Sequence, residues 1–132
     1  MVTKDGEIRE LDIPSVAPFG WLDSPTFVTA KLKLNAGDSV IMFTDGVTEA
    51  PEPTDDNAPP TGNIEFGYER AQATASDASK DGADAILHLL DQRIKHHLAG
   101  GEPVDDTTIL VMTYQGPPEP PVDVSSDQPT ET

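Results

Sequence analysis

At 132 residues and 14.1 kDa the chain has room for one small core, and its 24 acidic against 8 basic residues give a net charge of -16. So acidic a chain has no attraction for nucleic-acid phosphates or anionic lipid, so neither nucleic acid nor membrane is an expected partner. With no cysteine it can hold no disulfide, thiolate metal site or cysteine nucleophile.

The acidity is concentrated. Glu49, Glu52, Asp55, Asp56 and Glu65, with Glu119, Asp123, Asp127 and Glu131, lie in two stretches without Lys or Arg, and setting those nine aside leaves 15 acids against 8 bases, a net of -7. Most of the excess therefore needs no functional explanation. Lys4, Asp5, Glu7, Arg9, Glu10 and Asp12 leave no apolar core for a signal peptide near Met1. The longest apolar runs, Val40–Phe43 and Ile109–Met112, fall far short of the roughly 20 residues of a membrane helix. A cytoplasmic location is expected.

In chain order, Glu7 to Ile13 reads as a short extended strand, and Pro14, Pro18 and Pro25 keep the following stretch irregular. Thr26 to Leu34 alternates apolar and polar residues, the period of a half-buried strand, and Asn35-Ala36-Gly37-Asp38 makes a turn. Ser39 to Thr44 is continuously apolar enough to predict a central strand covered on both faces. Proline-rich residues 51–62 read as a solvated loop.

Phe66-Gly67-Tyr68-Glu69-Arg70 opens a short helix, and a longer one runs from about Gly82 to Ala99 with Asp81 as its expected N-cap. Ile86, Leu87, Leu90, Ile94 and Leu98 recur on one stripe that should face a sheet, and Gly100-Gly101 supplies a left-handed stop. Thr107 to Tyr114 predicts a last strand buried on both sides. Residues 1–116 are read as domain, and 117–132, rich in proline and acids, as a disordered tail.

The two most apolar strands carry aspartates at their tips: Asp45 follows the first, and Asp105 precedes the second. Such carboxylates can meet at one edge of a sheet, and a poorly hydrated pair calls for compensation by a hard cation such as Mg2+ or Mn2+. On spacing alone this stays open, because Asp-Gly and Asp-Asp are also ordinary solvated turns.

The ordered set Leu34-Asn35-Ala36-Gly37-Asp38-Ser39-Val40-Ile41-Met42-Phe43-Thr44-Asp45-Gly46-Val47-Thr48-Glu49-Ala50, then Phe66 to Arg70, then Asp105-Asp106-Thr107-Thr108-Ile109-Leu110-Val111, resembles the PPM-type protein phosphatases. The bacterial branch named after stage II sporulation protein E matches best, and Gly20 fits its preceding glycine. The resemblance spans about residues 7 to 115. It implies an α+β fold, part of an α-β-β-α sandwich with mainly antiparallel sheets and two helices. It also implies a pair of Mn2+ or Mg2+ ions that activate water against a phosphoserine or phosphothreonine ester. By that likeness Asp45 and Asp105 are metal ligands. Asp106, Gly46 and Thr108 are secondary candidates, as further ligands or as supports of the ligands.

The family's first half carries an earlier Asp-Gly pair whose aspartate bridges the metals, and nothing upstream of Thr44 matches it. Asp5-Gly6 lacks the flanking apolar strand and reads as a turn. The chain is therefore expected to be the C-terminal half of such a domain, with a complementary N-terminal half as a partner and a phosphorylated protein, in this branch an anti-sigma-factor antagonist, as substrate. The rival expectation is a non-catalytic remnant serving as an interaction or regulatory module. His88, His96 and His97 lack the i, i+4 spacing of a helical metal site, and Asp55-Asp56-Asn57 lacks the ligand pattern of a calcium loop.

Overall fold

Two apolar five-residue segments pair to form the only named sheet among the described residues, which in this computed structural model are 1–11, 13, 14, 16–18, 20–24, 26–53 and 64–118. Strand β1, Ser39–Phe43, runs antiparallel to β2, Ile109–Thr113, in a register that sets Ser39 opposite Thr113 and Phe43 opposite Ile109. Between them come α1, Asp45–Thr48, α2, Gly67–Asp77, a 3-10 turn, Ser79–Asp81, and α3, Ala83–Leu98. The fold is mixed α+β, as expected.

Helix α3 forms where the sequence places its apolar stripe, and Ile86, Leu90, Ile94 and Leu98 are buried. Each such side chain contributes roughly 1.5–3 kcal/mol relative to exposure. Leu87 lies at the margin, 40% exposed. The stripe packs on the sheet face made by Ile41, Phe43, Ile109 and Val111. Alanines do the corresponding work on α2: Ala71 and Ala75 are buried, and their small side chains let the two helices approach. Arg93 of α3 ties the pair by donating to the Thr74 hydroxyl at 3.1 Å and to Asp77 at 2.7 Å.

Several local expectations are corrected. Asp81 does not cap α3; Gly82 occupies the N-cap at φ 82°, a left-handed conformation that glycine adopts without strain, and no side chain caps there. At the other end Ala99 (φ 44°) makes the left-handed turn one residue before Gly100. Thr26 to Leu34 is no strand: Phe27, Val28 and Leu32 are 54%, 55% and 44% exposed, and no ladder among the described residues pairs with the segment. Alternation specifies two faces, but a strand also needs a neighbour to take its amides.

Among the described residues of Glu7 to Ile13, likewise, there is a single bridge, Ile8 to Val2. Nor are the two strands covered on both sides. Their odd and even residues part into a face under the helices and an outer face where Met42, Leu110 and Met112 are 50%, 46% and 52% exposed. Most of the predicted loop, and the predicted tail from residue 119 on, lie outside the described residues.

The segment before β1 is held from two sides. Val2 is fully buried and exchanges both backbone hydrogen bonds with Ser39, at 2.9 Å each. Asp5-Gly6 is a turn, with the Gly6 amide donating to the Thr3 carbonyl and Gly6 at φ 89°. Its outer carbonyls are received by helix-end hydroxyls: Ser76 donates to Gly6 at 2.7 Å and Ser79 to Lys4 at 3.2 Å.

Candidate metal-binding site

Asp45 and Asp105 come to one end of the sheet because the register leaves the end of β1 beside the start of β2. Asp45 is the first residue of the short helix α1, a feature the sequence reading missed in treating Asp45-Gly46 as a plain turn. Asp105 and Asp106 lie in the loop that leads to β2. All three side chains are exposed.

The two segments are docked through backbone. A Cβ on Gly46 would meet the Asp106 carbonyl oxygen at 2.6 Å and that of Asp105 at 3.0 Å, so this approach admits only glycine. Around that contact three threonines close the joint. The Thr44 hydroxyl donates to the Asp106 carbonyl at 2.8 Å and accepts the Thr108 amide at 3.0 Å. The Thr107 hydroxyl donates to the Gly46 carbonyl at 3.3 Å.

Among the secondary candidates, Gly46 thus acts as a spacer, and Thr108 joins through its backbone. Asp106 offers its carbonyl to Thr44. Thr44 and Thr107 are not singled out by any sequence pattern of their own. A hydroxyl residue directly before Asp45 is the sort of signal that marks a helix N-terminus, although here the hydroxyl bonds across to the neighbouring loop.

Each aspartate has one oxygen engaged locally: Asp45 Oδ1 accepts its neighbour Gly46 amide at 3.0 Å, and Asp105 Oδ1 accepts the Asp106 amide at 2.7 Å. These bonds orient the carboxylates and leave the second oxygen of each without a hydrogen bond among the described residues. Ionised carboxylates with a free oxygen are hard donors of the kind Mg2+ and Mn2+ accept. They are part of a ligand set, since no three His, Cys, Asp or Glu side chains converge on a metal position among the described residues.

Two of the histidines have partners away from these aspartates. His88 faces Gln92 at 3.1 Å, and His97 bonds the Ile64 carbonyl at 3.1 Å and stands edge-on to Phe66.

A mixed α+β unit with aspartates at adjoining strand tips is the arrangement that the motifs led one to expect of a PPM-type phosphatase segment. The family model described as Stage II sporulation protein E (SpoIIE) matches residues 1–115, and the chain belongs to that family. It is also similar to Protein IcfG of Synechocystis sp. (strain ATCC 27184 / PCC 6803 / Kazusa), 30% identical over 93 residues. That alignment covers 70% of this chain and 13% of the relative's length. No solved structure matches the chain. Among the described residues no helix is long and apolar enough to cross a membrane.

Proposed function

We infer that this chain supplies part of the metal site of a protein serine/threonine phosphatase, with Asp45 and Asp105 as ligands for Mn2+ or Mg2+. The observation that carries this reading is the contact of Gly46 with the Asp105–Asp106 backbone, which fixes two exposed carboxylates on adjoining turns. Bound divalent ions would activate water and neutralise phosphoryl oxygens during attack on a phosphate ester.

The chain's own residues have defined tasks in that scheme. The Gly46 and Asp106 amides hold one oxygen of Asp45 and of Asp105, which leaves the other oxygen of each to serve a cation. Thr44 and Thr107 keep the two turns at fixed separation, which matters because a ligand pair that drifts apart loses its chelating geometry. The resemblance extends the reading to a phosphorylated protein substrate, an anti-sigma-factor antagonist in this branch, and to a complementary segment that completes the ligand set.

Paramagnetic broadening by Mn2+ tests the assignment on the chain itself. Broadening should centre on the amides of Gly46, Asp105, Asp106 and Thr107, and Asp45→Asn should remove it. Broadening spread evenly over the many acids of the surface, unchanged by Asp45→Asn, would take Asp45 out of the site.

A second reading, a non-catalytic interaction module, draws on the exposed outer face of the sheet at Met42, Leu110 and Met112. It predicts no site-centred broadening, and no Mn2+-dependent hydrolysis of p-nitrophenyl phosphate when a complementary segment is added.

A further inference from the structure

We propose that the cavity between the start of α2 and the end of α3 is an anion site that takes a phosphate group through Arg70 and Arg93. The cavity has a volume of about 290 Å³, and Phe66, Arg70, Thr74, Arg93, His96 and His97 line it. Among the described residues no acidic side chain lines it, in a chain with 24 acids against 8 Lys and Arg.

Both guanidinium groups are held in place with donors to spare. Arg70 Nη1 donates to the Glu65 carbonyl at 2.7 Å and to the Phe66 carbonyl at 3.3 Å, which leaves its Nε and Nη2 without a hydrogen bond among the described residues. Arg93 donates to Thr74 from Nη1 and to Asp77 from Nη2, and its Nε is left over in the same way. Thr74 couples the two arginines: its fully buried hydroxyl accepts from Arg93 and donates to the Arg70 carbonyl at 2.6 Å. A guanidinium already fixed along one edge loses little freedom when its remaining donors meet an anion.

The imidazoles add to this. His97 Nε2 donates to the Ile64 carbonyl, which can only accept, and its ring stands edge-on to Phe66 with centroids 5.6 Å apart. His96 beside it is exposed. Basic residues in the last turn of α3 would complement that helix's dipole wherever they pointed. Arg70 lies near the start of α2, where the dipole favours acids, so the same rule does not account for its place beside Arg93.

Local charge decides what enters, because salt screens exposed charges beyond about 8 Å. Asp77 opposes an anion, but it bonds Arg93 without lining the cavity. A carboxylate carries one charge on two oxygens, and a single guanidinium satisfies it. Two guanidiniums with imidazoles beside them suit a phosphate, which brings more charge and a third acceptor oxygen. None of these residues takes part in the aspartate site, so binding here does not depend on the metal reading.

Titrating the metal-free full chain with inorganic phosphate, at an ionic strength held constant with chloride, tests the site by NMR. Saturable shifts should appear at the Arg70 and Arg93 Nε–H signals, and acetate should bind at least about tenfold more weakly. Arg70→Gln should weaken phosphate binding by at least about tenfold. Should that variant unfold, Arg93→Lys keeps the charge, gives up the planar fork and should also bind more weakly. A phosphoserine peptide, set against its unphosphorylated form, identifies the source of the phosphate group: tighter binding than inorganic phosphate assigns the site to a phosphorylated protein, and equal or weaker binding to the free ion. Shifts that do not saturate, an equal response to acetate, or wild-type phosphate binding in the folded arginine variants would overturn the site.

Discussion

Thr44 and Thr108 hold each other twice: the Thr44 amide donates to the Thr108 carbonyl at 3.1 Å, and the Thr108 amide donates to the Thr44 hydroxyl at 3.0 Å. The same hydroxyl donates onward to the Asp106 carbonyl, so one side chain closes the sheet and sets the loop that carries Asp105. Thr44→Val keeps the shape and loses both hydroxyl bonds, with an expected cost of about 1–3 kcal/mol in denaturant unfolding. Thr44→Ser should recover most of it. A loss in Thr44→Ser with none in Thr44→Val would show that the methyl group, not the hydroxyl, is what matters.

Gly46→Ala forces a methyl group to within 2.6 Å of a backbone oxygen, which no side-chain rotation relieves. The expected outcome is destabilisation of about 1–3 kcal/mol and faster amide exchange at Thr107 and Thr108 as the two turns separate. Wild-type exchange in the alanine variant would mean that the turns are not in contact.

The stripe on α3 predicts an asymmetry between neighbours. Leu90→Ala empties a fully enclosed position and should cost about 2–5 kcal/mol, whereas Leu87→Ala, at the margin, should cost less than about 1 kcal/mol. Chemical denaturation of the two proteins decides it, and similar losses would reassign the buried face.

Asp38 accepts the Asn35 amide at 2.9 Å and the Lys4 amide at 3.2 Å, and these bonds, the Asn35 one foremost, hold its carboxyl below the usual carboxylate range. A carboxyl lowered on folding stabilises the protein above its unfolded value, near pH 4, and that contribution disappears as the pH falls through the lower folded value. Thermal unfolding from pH 7 down to pH 2 should therefore show a loss at the acid end that Asp38→Asn removes, while the variant is already less stable at pH 7. An acid-end loss of the same size in Asp38→Asn would assign it to other carboxyls.

Where a local pattern dictates its own structure, the fold was legible in the residues. The 3.6-residue spacing of Ile86, Leu90, Ile94 and Leu98 located α3, and the apolar runs around Ile41 and Val111 located the two strands. Tertiary context decided the rest. Thr26 to Leu34 has the alternation of a strand but joins no ladder among the described residues, and the runs that looked doubly covered are covered on one side. At the candidate site the motif residues were visible, whereas the work of Thr44 and Thr107 emerges only when segments some sixty positions apart are brought together.

The outer face of the sheet has a chemical property that its shape alone does not convey. Two of the residues that lie open there, Met42 and Met112, are thioethers, and peroxide converts an accessible thioether to a polar sulfoxide. Leu90 and its buried neighbours offer no such target, so a mild oxidant would turn this surface from greasy to hydrophilic while the helical layer stayed intact.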